Sequence, residues 1–297
     1  MELLKAELSA VLGEPLSRVE RISEQPYAHL YAMYDKEGHA IPLLVKSYVC
    51  QGVAQQEAYK LSMLAREGDV RVPTVYGMVM SQHPSHKELL LLERLRGVPV
   101  ETPTRTPQRW ASLMDQIVDS VMAWHRIDSH GCVGSVDSTQ ENSWPKWYAQ
   151  RLEVLWSTLM LVQTPLLTRE DRALLFRSRQ ALPALFRDFN DPCVLVHGNL
   201  SLRSMLKDSR SDQLLAMINP GMMLWAPREY ELFRLCDEGM AEQLLYHYLR
   251  RAPVSETFVS RRWLYVVWAA VSRYIHTGQL DRELFDRASR ELLPWLD

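Results

Sequence analysis

The residues with the most chemical potential lie where short apolar runs end. Val194-Leu195-Val196 leads into His197-Gly198-Asn199, and the chain leaves this turn past Ser204 into Met205-Leu206. Leu214-Leu215-Ala216-Met217-Ile218 ends in Asn219. An asparagine amide donates and accepts hydrogen bonds but has no useful basicity, so Asn199 cannot take a proton from a reacting hydroxyl. Ser204 and Asn219 offer neutral oxygens, and hard cations prefer carboxylate or phosphate oxygen. Upstream, Lys46 follows Leu43-Leu44-Val45, and Glu57 comes 11 residues later inside a helical pattern. Such a pair is either a cation oriented by a carboxylate or, more plainly, a strand-edge lysine and a solvated helix glutamate.

The elements that must position these groups follow from periodicity. Leu4, Leu8, Val11 and Leu12 share one face of a short N-terminal helix. The runs 30–34 and 41–48, joined through Asp35-Lys36-Glu37-Gly38, predict a hairpin. Ala54, Ala58, Leu61 and Leu64 place a helix over 51–66, and Leu89-Leu90-Leu91-Leu92-Glu93 reads as a strand buried on both faces. After Leu95-Arg96-Gly97 the composition turns helical. Helices are expected ending near Ile127 and over 147–161, 168–186, 229–250, 255–276 and 281–293, interrupted by strands at 194–206 and 214–219. Trp144-Pro145-Lys146-Trp147 falls off these helix faces and is expected to wall a pocket. The division expected is residues 1–97 as a β-rich lobe with one helix and 98–297 as a helical lobe.

Composition bounds the rest. A 47% hydrophobic and 24% charged chain is that of an ordinary globular protein. A net charge of -2 supplies no global field for nucleic acid or an anionic membrane surface, so neither is expected as a partner. The cysteines form no CxxC pair, so reduced thiols are expected. Glu2, Lys5, Glu7 and Glu14 break any apolar signal core, and the longest apolar run, 263–271, is too short to span a bilayer, which makes the cytoplasm the expected location.

The segment 194–206 with 214–220 resembles the catalytic loop and metal strand of the aminoglycoside phosphotransferase and choline kinase family, where the pattern reads His-Gly-Asp-x-x-x-x-Asn and then Ile-Asp. Three further stretches resemble the same family: Leu91-Leu92-Glu93-Arg94-Leu95-Arg96-Gly97 its hinge, Val121-Met122-Ala123-Trp124-His125 its Leu-x-x-Leu-His segment, and Trp225-Ala226-Pro227-Arg228-Glu229-Tyr230-Glu231-Leu232 the element after its metal strand. The resemblance implies an α+β, two-lobed protein kinase-like fold with the nucleotide between the lobes. It implies that Lys46, oriented by Glu57, holds nucleotide phosphates, and that the backbone at Glu93 to Leu95 faces adenine. Asn199 stands at the family base, with His197 bracing the loop. Ser204 and Asn219 stand at the metal positions. The phosphate-covering loop would fall at 23–29, which contains no glycine and carries Pro26.

ATP and Mg²⁺ are thus the implied cofactors, bound weakly or not at all, because base and metal ligands are all neutral. Three functions stay open at this stage. The first is a catalytically impaired kinase-like protein that retains a small-molecule ligand cleft or a partner surface. The second is an active ATP- and Mg²⁺-dependent O-phosphotransferase in which Asp208 or Glu231 supplies the missing charge. The third is a non-enzymatic interaction module. No protein partner is named by any motif.

Overall fold

A computed structural model describes residues 1–25, 27–136, 143–236 and 238–296. Pro26, part of the expected phosphate-covering loop, lies outside the described residues. In chain order the elements begin α1 (Glu2–Leu12), β1 (Arg18–Gln25), β2 (Ala28–Tyr34), β3 (Ala40–Tyr48), α2 (Val53–Glu67), β4 (Val75–Met80), β5 (Glu88–Glu93) and β6 (Val98–Pro99). They continue α3 (Pro107–Trp124), β7 (Gly134–Ser135), α4 (Trp144–Leu161), α5 (Arg169–Gln180), α6 (Leu182–Leu185), β8 (Cys193–Val196), β9 (Met205–Lys207), β10 (Leu214–Met217) and β11 (Leu224–Pro227). The chain closes with α7 (Glu229–Leu232), α8 (Met240–Arg251), α9 (Phe258–Thr277) and α10 (Arg282–Leu292). This is a mixed α+β chain with β-rich first and helical later parts.

Packing divides it into two compact units, one of Met1–Leu113 with Arg203–Pro220, the other of Met114–Leu202 with Gly221–Asp297. In the first, five antiparallel strands are ordered β1-β2-β3-β5-β4. Leu4 and Leu8 of α1 enter a core with Val19, Tyr31, Met33, Val45, Leu89 and Leu91. Val11 stays 38% exposed, so the expected apolar face of α1 is narrower than the periodicity suggests. Central β5 is buried along Leu89 to Leu92 because strands flank it on both edges, α1 covers one face and α2 packs against the sheet. Side chains alternate along a strand. Val45 therefore joins the α1 core while Lys46, next in line, points to the other face. A smaller sheet, β10-β9-β6, completes the unit. Gly97 permits close packing there, since a Cβ would lie 2.8 Å from Leu215 Cδ2 and 3.0 Å from the Lys207 carbonyl oxygen.

The second unit packs helices around the three-stranded sheet β7-β11-β8. The single strand expected over 194–206 is thus two strands in different sheets, β8 pairing with β11 and β9 with β10. Trp144 to Trp147 start α4, contrary to the expectation of a non-helical stretch, because Pro145 suits the first helical turn. Trp144 is 2% exposed and donates to the Tyr265 hydroxyl at 3.1 Å, in a cluster with Tyr148 and Tyr230, so it is core. The run expected as one helix over 229–250 is α7 and α8, separated before Gly239, whose φ is 82°.

Candidate functional site

Lys46 sits in the middle of the five-stranded sheet, opposite Leu30 on β2 and Leu90 on β5. Its Nζ donates to Glu57 Oε1 at 2.8 Å and Oε2 at 2.7 Å, and to Asn219 Oδ1 at 3.2 Å. Tyr48 adds a hydroxyl donor to Glu57 Oε2 at 2.8 Å. Burial and the Glu57 carboxylate push the Tyr48 phenol far above its ordinary range, so it remains a donor. The expected pair is present, and its partners come from α2 and from the end of the smaller sheet.

A residue that the sequence reading missed sets the position of α2. Glu88, buried on β5, accepts from the Gly52 N–H at 2.7 Å and the Ala54 N–H at 2.8 Å. A helix start leaves backbone donors without intrahelical partners, and a carboxylate there also matches the positive end of the helix dipole. Glu88 thereby ties the helix that carries Glu57 to the sheet that carries Lys46. An acidic residue at the head of an otherwise apolar strand was the available signal.

Asn219 lies just beyond β10 with φ of 54°, a left-handed conformation that Asn tolerates better than most residues. The preceding backbone is tied down, Ile218 N–H to the Ser204 carbonyl at 2.8 Å and Met217 N–H to the Arg71 carbonyl at 2.9 Å. Ser204 is buried beside it. The hinge segment is partly committed: Glu93 N–H donates to the Thr74 carbonyl and Arg94 N–H to the Pro42 carbonyl, both at 2.9 Å. The Glu93 side chain pairs with Arg71 and accepts from Thr74 Oγ1. Leu95, half-buried, follows directly on these two residues.

In the second unit, Glu231 is fully buried and holds the segment 197–200. Its Oε2 accepts from the Gly198 N–H at 3.0 Å and its Oε1 from the Leu200 N–H at 3.2 Å. Burial raises its pKa, while these N–H groups and the Arg234 charge oppose that rise. Gly198, at φ 78°, lets the chain at 221–222 approach, since a Cβ would stand 2.2 Å from the Met222 carbonyl oxygen. His197 stacks on Trp124 with ring centroids 5.6 Å apart. Burial, reinforced by Arg234, lowers its pKa to about 3, and among the described residues neither ring nitrogen has a hydrogen-bond partner. It is a neutral packing ring at pH 7. His125 is likewise lowered to about 3 by burial and bonds Tyr248 through Nδ1 at 2.7 Å.

Both carboxylates considered as substitute charge serve nearby backbone. Asp208 Oδ1 accepts from the Arg210 N–H, the Ser211 N–H and Ser211 Oγ of its own turn. Glu231 is consumed by the loop backbone. Asn199 lines a cavity of about 890 Å³ within the second unit, together with Trp147, Tyr230, Phe233, Arg151 and Arg273.

Comparison with known proteins bears on family and fold. The family model for the phosphotransferase enzyme family matches residues 35–289. The uncharacterized protein YcbJ of Escherichia coli K12 is 58% identical over 296 residues, covering 100% of both chains. Among solved structures, a Haemophilus somnus 129PT protein assigned as a fructosamine-3-kinase superposes with a TM-score of 0.75 at 16% identity, covering 99% of this chain and 97% of that one. A thermostable aminoglycoside phosphotransferase solved with ADP and hygromycin B gives 0.73 at 15% identity, covering 99% and 97%. Likeness at these identities establishes a shared kinase-like fold. From the family match over most of its length and the full-length relative, the chain belongs to the phosphotransferase enzyme family.

Proposed function

We propose that this chain binds the phosphates of ATP through Lys46 and transfers a phosphoryl group weakly or not at all. The observation that carries this reading is the bond from Lys46 Nζ to Asn219 Oδ1 at 3.2 Å, beside the doubly accepting Glu57 carboxylate. Glu57 directs the ammonium, and the donor now on Asn219 can turn to phosphate oxygen. Leu95 would supply backbone contact to the base. Asn219 contributes an amide where the family carries a carboxylate. Its oxygen already accepts from a cation.

Magnesium does not fit this donor set. Asn219 and Ser204 bring no negative charge, and the Asn219 oxygen already accepts from an ammonium, whose charge repels a cation. Asn199 can orient a hydroxyl by hydrogen bonding but cannot accept its proton, a contribution usually worth about 10²–10⁴-fold in rate. Positioning and electrostatics dominate phosphoryl transfer, and the positioning half is what this chain retains.

The test is calorimetric titration of ATP, with Mg²⁺ and with EDTA, into the natural protein and into Asn199→Asp/Asn219→Asp. The natural protein should bind ATP weakly and without regard to Mg²⁺, and the double variant should gain Mg²⁺-dependent affinity. Tight Mg²⁺-dependent binding by the natural protein, weakened by the double change, would overturn the reading.

A further inference from the structure

The cavity in the second unit differs in charge from what a polycationic ligand would require. At about 890 Å³ it is of metabolite size, and Asn199, at the position of the family base, is part of its lining. Its charged lining among the described residues consists of Arg151, Arg234 and Arg273 against Asp281. That carboxylate also caps α10, Oδ1 accepting from the Leu284 N–H at 3.1 Å. No ion pair joins any of the three arginines to a carboxylate among the described residues.

Two of these guanidinium groups rest against aromatic rings of the same lining. Arg151 lies 5.9 Å from the Trp147 ring centroid and Arg234 lies 5.1 Å from that of Phe233. Such contacts support a cation without neutralising it. Arg234 Nε is buried and lacks a hydrogen-bond partner among the described residues. Buried polar atoms without a partner are uncommon in protein interiors, and a bound water or ion is one way such an atom is completed.

We infer that this cavity takes a small hydroxylated anion, one bearing phosphate or carboxylate, with its hydroxyl side toward Asn199. Guanidinium forks suit planar or tetrahedral oxyanions bidentately. The apolar flank of Tyr230, Phe233 and Trp147 suits a compact carbon skeleton. A polyamine-bearing sugar meets three like charges against one carboxylate in the described lining, which selects against it. The inference deepens the proposed function by naming the ligand class for the segment that holds Asn199, but it concerns binding alone and does not require nucleotide to bind.

The experiment is thermal unfolding of the full chain, without nucleotide, against increasing 6-phosphogluconate, glucitol and kanamycin. A ligand selective for the folded state raises the midpoint with concentration. The expected result is a rise with 6-phosphogluconate and none with glucitol or kanamycin. The readout is repeated on Arg151→Gln/Arg273→Gln, which alters side chains outside the buried core. Loss of two charge-assisted contacts should weaken anion affinity about tenfold or more. Arg151→Lys/Arg273→Lys should recover part of it. Stabilisation by kanamycin, absence of any rise with the anion, or an anion response unchanged in the glutamine variant would each overturn the inference. Failure of ATP to bind in the calorimetric test would leave this result standing, so the two readings fail separately.

Discussion

Lys46 and Glu57 form a two-point contact, Nζ reaching both carboxylate oxygens at 2.8 and 2.7 Å, with both side chains largely shielded from water. A shielded ammonium needs its counter-charge, because desolvation without a partner is costly. Glu57→Gln keeps an acceptor for Tyr48 and removes the charge. It should cost about 1.5–3 kcal/mol, the range for hydrogen bonds to charged groups. Urea unfolding of both proteins checks this. A variant as stable as the natural protein would mean that Lys46 finds other compensation.

Glu231 should behave as a loop organiser. In Glu231→Ala the Gly198 and Leu200 N–H groups lose their buried acceptor. Each unsatisfied donor costs about 1–3 kcal/mol. Glu231→Gln retains one acceptor oxygen and should recover part of the loss. Hydrogen exchange at the amides of 198 and 200 reads the effect locally. Equal protection in the natural and alanine proteins would exclude the organising role.

The buried pair Arg261–Glu229 predicts a strong asymmetry between single and double variants. Glu229 accepts from Arg261 Nε and Nη2, both at 2.7 Å, and from the Tyr265 hydroxyl at 2.6 Å. Burial raises the Glu229 pKa, and the Arg261 bonds oppose that rise. Arg261→Met strands the carboxylate and should cost about 3–5 kcal/mol. Arg261→Met/Glu229→Leu should cost less than the single change, since both charges leave together. Chemical denaturation of the three proteins decides it. A double variant less stable than either single one would contradict the expectation.

Histidine burial makes a pH prediction with a definite sign. His125 and His197 are lowered to about 3, by burial first, against an ordinary value near 6.5. Between these values the unfolded chain binds protons that the folded chain refuses. Stability is therefore full above about pH 6.5 and falls with acidification, by up to about 1.4 kcal/mol per pH unit per histidine. His197→Phe should remove its share of that slope between pH 7 and 5 and keep the stack on Trp124. Denaturant midpoints across that window provide the measurement, and an unchanged slope would assign the proton uptake elsewhere.

Local order was readable in the chain itself. Alternation placed Lys46 on the opposite strand face from Val45, helical spacing placed Glu57 on α2, and polar residues ending apolar runs marked Asn199 and Asn219. These are short-range consequences of strand and helix periods. The family motifs carried the fold because their spacing survives even where their ionisable groups are gone.

What only the tertiary structure decided depends on partners distant in sequence. Glu88 caps α2 from 34 or more residues away, and Asn219 reaches Lys46 across 173 positions. No periodicity encodes such pairings. The assignment of β8 and β9 to separate sheets likewise depends on which strand each meets, β11 and β10, and not on its own composition. Trp144 illustrates the same point: Pro145 suits a helix start locally, but burial of the Trp144 ring depends on Tyr230 and Tyr265, far away in sequence. The sign of charge in the cavity beside Asn199 arises from arginines on three separate segments, brought together by packing that sequence order does not reveal.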